Sequence, residues 1–141
     1  MQYVQDFLNA LDKKQKNKKI TYSINRDNLV LYEKACLSKL PEYFQRVFNF
    51  YNGLIIDTPR HLEFFTYKEI EIIENRFLHF AIIDKNKKIC FDLEKNTNAN
   101  ECNIICYDNK YKITSTFSSF LTNKVWAWID RGREIWKEEI Y

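Results

Sequence analysis

Glycine and proline are scarce in this chain, with two of each in 141 residues. A glycine-rich phosphate cradle needs several glycines at fixed spacing, and a disordered linker needs a richer supply of both, so neither is expected. One-sided charge is missing too. Lys and Arg number 22 against 19 Asp and Glu, a net charge of +3, whereas strong nucleic-acid binders concentrate more positive charge on one face. No apolar run approaches the roughly 20 residues that span a bilayer. The opening MQYVQDFLNALDKKQ is interrupted by Gln, Asp and Asn within nine residues, which does not read as a secretory signal. A cytoplasmic location is therefore expected, with no membrane association. In that compartment Cys36, Cys90, Cys102 and Cys106 stay reduced thiols rather than disulfides.

Aromatic side chains are plentiful: eleven Phe, nine Tyr and three Trp. Fully burying one Phe or Leu contributes roughly 1.5–3 kcal/mol, so a chain with 45% hydrophobic residues can build a core without staples. Its length suits one domain spanning 1–141.

Tyr3, Val4, Phe7, Leu8 and Leu11 fall at helical spacing and predict an N-terminal amphipathic helix. It runs into KKQKNKK (13–19), read as a solvated helix end whose lysines complement the helix dipole, or as a basic patch for phosphate or an acidic partner. ITYSI (20–24) reads as a short strand or connector. Asn25 or Asp27 can cap a second helix with the stripe Leu29, Tyr32, Cys36 and Leu40. LPEYFQRVFNFYNG (40–53) is a third helix. Pro41 fits its first turn, Phe44, Val47, Phe48 and Tyr51 form one face, and Gly53 can take the left-handed conformation that ends it.

From residue 62 the period changes. LEFFTY reads as a strand and EIEII as strand or a single helical turn. LHFAIID (78–84) and KICFDL (88–93) flank Lys85-Asn86-Lys87 as a hairpin, with Phe80 and Ile82 sharing one face. EKNTNANE is a polar loop, and CNIICYD with KYKIT suggests another hairpin turning at Asp108–Asn109. Ser115 or Thr116 can cap a last helix with the buried stripe Phe117, Phe120, Leu121, Val125, Trp128 and Ile129. At 100° per residue, Trp126 lies opposite Phe117, on the exposed face. The fold class is α+β, with a mostly antiparallel sheet of about four to six strands packed by N-terminal helices and a C-terminal helix.

Reaction chemistry finds little support. Cys102 and Cys106 are spaced C-x3-C with Cys90, His61 and His79 elsewhere, looser than paired zinc ligands, and cysteines beside Ile and Phe in strands act as small hydrophobes. Cysteine-protease chemistry needs a thiol, a histidine and an orienting group, and no local motif supplies them. Ser118 and Ser119 lack a nucleophile-elbow pattern. Glu69, Glu71, Glu74, Asp84, Asp92 and Glu94 could pair for glycoside hydrolysis, yet their spacing follows solvated positions. Interleaved Tyr, Phe and Lys could stack nucleic-acid bases, but most of these aromatics follow core periodicities. No cofactor, metal site or catalytic residue is expected.

The order of these features resembles the SUKH superfamily, which contains the fungal cell-wall-synthesis regulator domain and many bacterial immunity proteins. Glu33 stands at the family's acidic position, Leu40-Pro41-Glu42-Tyr43 at its Leu-Pro step, and Asn52-Gly53 at its helix end. Phe80-Ala81-Ile82-Ile83-Asp84 and Ile89-Cys90-Phe91-Asp92 resemble its hairpin strands. Thr116-Phe117-Ser118-Ser119-Phe120-Leu121 resembles its closing motif. The resemblance covers roughly residues 25–125 and leaves 1–24 as an N-terminal helix and connector. The family carries more glycine at the hairpin turn, where this chain has Lys85-Asn86-Lys87. Members that neutralise basic nucleases are often acidic, where this chain is mildly basic.

The resemblance implies a non-enzymatic binding protein: a cytosolic immunity protein that occludes a cognate polymorphic or contact-delivered toxin, or alternatively a regulatory scaffold of the cell-wall-regulator type. Tight interfaces rest on a few aromatic and arginine anchors. The candidates are Trp126 on the off-stripe helix face and Asp57, Arg60 and His61 in the loop beyond the Asn-Gly step. Packing of Trp126 against REIWKEEIY is the competing expectation.

Overall fold

The computed structural model describes residues 1–96 and 101–138, apart from the side chains of residues 36, 39, 95 and 96. Part of the expected loop EKNTNANE, the last three residues of the REIWKEEIY tail and the Cys36 side chain lie outside that description.

The predicted first helix is α1 (Gln2–Lys16), which buries Val4, Phe7, Leu8 and Leu11. It lies beside β1 (Thr21–Ile24), where Gln15 Oε1 accepts from the Tyr22 N–H at 2.9 Å and Tyr22 Oη donates to Asp12. Two short helices follow, α2 (Leu31–Cys36) and α3 (Glu42–Val47), joined through a 3₁₀ turn at Leu37–Lys39. The cap of α2 is Val30, without a side-chain hydrogen bond; Asn25 Oδ1 instead accepts from the Asp27 N–H and holds the preceding turn. The expected α2 stripe is only partly realised. Leu29 is buried and Leu40 half-buried, but Tyr32 is 76% exposed, and the buried leucine of the 3₁₀ turn is Leu37, outside the expected stripe. A six-residue helix that gives way to a 3₁₀ turn does not sustain an i, i+3, i+7 face.

Eight antiparallel strands make one sheet, more than the four to six expected. The path runs β1, β2 (Leu54–Thr58), β3 (Leu62–Phe64), β5 (Phe77–Ile83), β6 (Lys87–Asn96), β7 (Cys102–Cys106) and β8 (Lys112–Thr114). The remaining strand, β4 (Glu71–Ile73), also pairs with β5. β3 meets residues 81–83 of β5 and β4 meets residues 77–79, so two three-residue strands share one long neighbour. Strands this short carry too few residues to show alternation, so periodicity undercounts them. EIEII is strand in part. It turns into β5 through Glu74 and Asn75, both left-handed, with the Arg76 N–H donating to Ile73 O.

The β5–β6 hairpin forms without glycine: Asp84 and Lys85 supply the two positive φ angles. Within β5 the pairing slips between His79 and Ala81. This bulge brings Phe80 and Ala81 to the same side, so Leu78, Phe80, Ala81 and Ile83 all enter the main core and Ile82 does not, contrary to the expected Phe80–Ile82 face.

One sheet face is covered by α1, α3 and the C-terminal helix. Phe44 of α3 sets its ring edge against Phe80, Phe91 and Phe117 at centroid distances of 4.9–5.8 Å. Phe80 stacks on Phe91 at 4.3 Å. The C-terminal helix comprises α4 (Phe117–Ser119), a π-helical segment (Phe120–Lys124) and α5 (Val125–Arg131). Thr116 caps it, accepting from the Ser119 N–H, and every residue of its predicted stripe is buried. The π segment rotates less per residue than an α-helix and swings Trp126 back toward α1. Its ring lies 5.4 Å from that of Phe7 and beneath Lys14 Nζ at 4.8 Å. Gly132, at φ 66°, ends the helix, and Ile135 and Trp136 fold back against Trp128.

Candidate protein-binding surface

α3 ends at Val47, five residues before the Asn-Gly pair, so Gly53 does not terminate it. Asn52 and Gly53 instead join three separate segments. The Asn52 N–H donates to Asn25 O at 2.7 Å, and the Asn25 N–H returns to Gly53 O at 3.0 Å. Asn52 Oδ1 accepts from the Tyr67 N–H at 2.8 Å. Gly53 sits at φ +95°, and a Cβ there would lie 2.7 Å from Thr66 Cγ2. Glycine is thus required twice at this position, for its backbone angle and for the close approach of Thr66.

Around this junction the surface is concave. One cleft of about 270 Å³ lies over Ser23, Asn25, Gly53, Glu63, Thr66 and Glu69, and a second of about 280 Å³ adjoins it over Asp27, Leu29, Glu33, Tyr67 and Lys68. Asn25, Asn52 and Thr66 line both. Four carboxylates border the pair against one ammonium, Lys68. Glu69 Oε1 accepts from the Thr66 N–H and hydroxyl at 3.0 and 2.8 Å.

Next to the second cleft, the cap residue Val30 and the first two residues of α2 are three consecutive apolar side chains turned to solvent. Val30 is 59% exposed, Leu31 85% and Tyr32 76%. Leu29 and Glu33, on either side of this ridge, both line the cleft. Scattered exposed apolar residues are ordinary, whereas these three are contiguous and lie at the rim of a cleft.

Opposite charge gathers at the far end of β1 and β2. Ile24 pairs with Leu54 beside the cleft, and Thr21 pairs with Thr58, about 13 Å along the strand. At that end lie the exposed Lys13, Lys16, Lys18 and Lys19, while Lys14 Nζ reaches Asp130 at 3.0 Å. Lys14 is therefore bound to α5 rather than free, while Lys13, Lys16, Lys18 and Lys19 are exposed.

The four expected anchors also lie away from the cleft. Asp57 is exposed on β2. Arg60 Nη1 donates to Ile129 O at 2.6 Å, and its side chain crowds Gly132, so its charge closes the C-terminal pole of α5. His61 O accepts from Trp128 Nε1 at 2.9 Å and from the Asp84 N–H at 3.1 Å. Trp126 packs on α1. Arg60, His61 and Trp126 thus make contacts within the fold. Among the signature positions, Phe117 and Phe120 are fully buried, Pro41 O accepts from the N–H groups of Phe44 and Gln45, and Leu40 O accepts from Gln45 Nε2. Tyr43 Oη accepts from the Cys102 N–H at 3.0 Å, and burial raises its pKa. Only Glu33, Asn52 and Gly53 of that set line the clefts.

Three buried titratable groups away from the clefts, Asp92, His79 and Cys90, sit in structural surroundings. Asp92 is buried and receives Arg76 through two hydrogen bonds of 2.8 and 2.9 Å. His79 is buried, with its pKa lowered by burial and then by Lys88, and its Nε2 lies 3.1 Å from Ala81 O. Burial pushes the Cys90 thiol up to about 12, far from a nucleophilic thiolate. No group of three His, Cys, Asp or Glu able to hold a metal occurs among the described residues, nor is any helix there long and apolar enough to cross a membrane. Neither a family model, nor a curated protein, nor a solved structure matches the chain.

Val30, Leu31, Glu63 and Glu69 are not apparent as a site in the sequence. Their one local signal is the apolar triplet Val30-Leu31-Tyr32, which is consecutive rather than periodic and so fits neither a helical stripe nor an alternating strand.

Proposed function

We propose that this chain is a non-enzymatic binding protein, a cytosolic immunity protein that occludes the active site of a cognate protein toxin by covering it. The exposed Val30–Tyr32 ridge beside the junction clefts carries the reading. A solvent-facing Tyr and Leu flanked by concave surface are suited to act as buried anchors once a partner excludes water. The SUKH resemblance at Leu40-Pro41, Asn52-Gly53 and Thr116–Leu121 supplies the kind of partner, because many bacterial members of that superfamily are immunity proteins. Steric and electrostatic cover is the whole mechanism, and no bond is made or broken.

The test is capture of the chain's stoichiometric protein partner from the native host, followed by co-expression of the chain with that partner. Growth rescued by the wild-type chain, together with a stoichiometric complex of the two purified proteins, supports the reading. Growth arrest undiminished by the chain, or rescue without a complex, rejects it. Co-purification with wall-synthesis proteins in place of a toxin would favour the regulatory scaffold.

A further inference from the structure

We infer that the junction clefts and the α2 ridge together recognise a basic partner segment, in which one Lys or Arg flanked by apolar residues enters the cleft while its neighbours cover Val30, Leu31 and Tyr32. This names the chemistry of the partner and rests on the binding reading above.

Charge complementarity is the first ground. The chain carries +3 overall, yet its clefts are edged by Asp27, Glu33, Glu63 and Glu69, with Lys68 as the sole ammonium on their walls. The lysine-rich end lies beyond the other end of β2, more than a Debye length of about 8 Å away. Arg26 and Lys34 adjoin Asp27 and Glu33 in sequence and are exposed, so the unbalanced charge is that of Glu63 and Glu69, the only charged residues on the wall of the first cleft, where a cation is favoured over an anion. The backbone of Glu63 is part of the sheet between β2 and β5, but its carboxylate makes no hydrogen bond or ion pair among the described residues and is available to an incoming donor. Glu69 is the exception within the group, because one of its oxygens is already committed to the Thr66 turn.

Size is the second ground. Clefts of about 270 and 280 Å³ fall below the roughly 300–1,000 Å³ of ordinary small-molecule sites. They suit a single long side chain better than a cofactor or metabolite. The apolar ridge at the rim then meets the residues on either side of that side chain. A central anchor surrounded by water-excluding apolar contacts is the usual anatomy of a protein interface.

The test uses the full ¹⁵N-labelled chain and three blocked tripeptides, Leu-Arg-Leu, Leu-Gln-Leu and Leu-Glu-Leu, titrated by NMR. The arginine peptide is expected to give saturable shifts at the amides of Asn25, Asn52, Gly53 and Thr66. Its binding should be about five-fold tighter than that of the glutamine peptide, the difference that one or two partly exposed ion pairs supply. Glu63→Gln, which keeps the side-chain shape, should erase that preference, and added salt should weaken it. Equal binding of the arginine and glutamate peptides, shifts confined to other surfaces, or no shifts at all would overturn the inference.

The two proposals can fail separately. Binding of the arginine peptide by a chain that does not protect cells keeps the cleft assignment and rejects the toxin. Protection with affinity unchanged in both Glu63→Gln and Leu31→Asp keeps the toxin and overturns the cleft assignment.

Discussion

Replacing Gly53 with alanine tests whether the Asn52–Gly53 junction holds the cleft in shape. Two costs arise from separate causes. At φ +95° a residue with a Cβ incurs about 1–2 kcal/mol of backbone strain. The new methyl would also lie 2.7 Å from Thr66 Cγ2, an overpacking that typically costs about 1–3 kcal/mol. Gly53→Ala should therefore destabilise the fold by about 2–5 kcal/mol, the sum of the two. With a urea m-value of about 2 kcal/mol per molar, the midpoint falls by about 1–2.5 M while the slope stays constant. Thr66→Ser separates the two costs. Serine keeps the hydroxyl that donates to Glu69 and lacks the clashing methyl. In that background Gly53→Ala should cost only the backbone strain, leaving a coupling of about 1–3 kcal/mol between the two positions. A Gly53→Ala chain within about 0.5 kcal/mol of wild type, roughly the resolution of urea melts, would refute this reading of the junction. So would an unchanged cost of Gly53→Ala in the Thr66→Ser background.

Stability should plateau near neutral pH and fall on both sides. His79 has a pKa below its usual 6.5, so on acidification the unfolded chain takes up this proton first and stability declines as pH falls from 6.5 through the depressed value; chemical melts of His79→Gln should show a shallower acid limb. Above pH 9 the unfolded chain loses the Cys90 proton while the fold retains it up to about 12, and half-buried Tyr43 and buried Tyr51, both raised by burial, act in the same direction from pH 10, so stability drops across that range. Trp126→Ala should lower stability by about 2–3 kcal/mol, less than a fully buried tryptophan, because the ring is only partly covered by Phe7 and Lys14; reduced partner affinity at an unchanged melting temperature would instead restore it as an anchor. Thr116→Ala removes the side-chain cap on the Ser119 N–H and should cost about 1 kcal/mol in a urea melt.

Local chemistry makes much of the fold legible. α1, the Phe44–Tyr51 face, the β5–β6 and β7–β8 hairpins and the Phe117–Ile129 stripe all follow from spacing, since one buried face imposes a period on the residues that fill it. The failures occur where one residue is added to a regular repeat. The bulge at Phe80 shifts which β5 residues face inward, and the π segment at Phe120–Lys124 turns Trp126 onto α1. Neither leaves a mark in composition. The glycine-free turn at Glu74–Asn75 hides as well, because left-handed conformations are expected first at Gly.

The candidate site is less legible than the fold. Asn52-Gly53 stands out in the sequence as the end of a helix, but its work is to bind Asn25 and Tyr67, which come from other segments. Glu33, Glu63 and Glu69 become neighbours only through that junction. Helical spacing places Tyr32 on a buried stripe, as a longer helix would. The α2 ridge is exposed because the helix lasts only six residues, a length set by how the chain packs beyond it.

The most direct measurement is affinity purification from the native host of the wild-type chain beside Leu31→Asp, with mass spectrometry of the chains each retains. The variant should fold normally, because Leu31 is 85% exposed. One stoichiometric partner, toxic when expressed alone, is expected on the wild type and should be lost from Leu31→Asp. A partner held equally by both chains, or none held by either, would contradict the claim that this ridge is the binding surface of a partner-occluding protein.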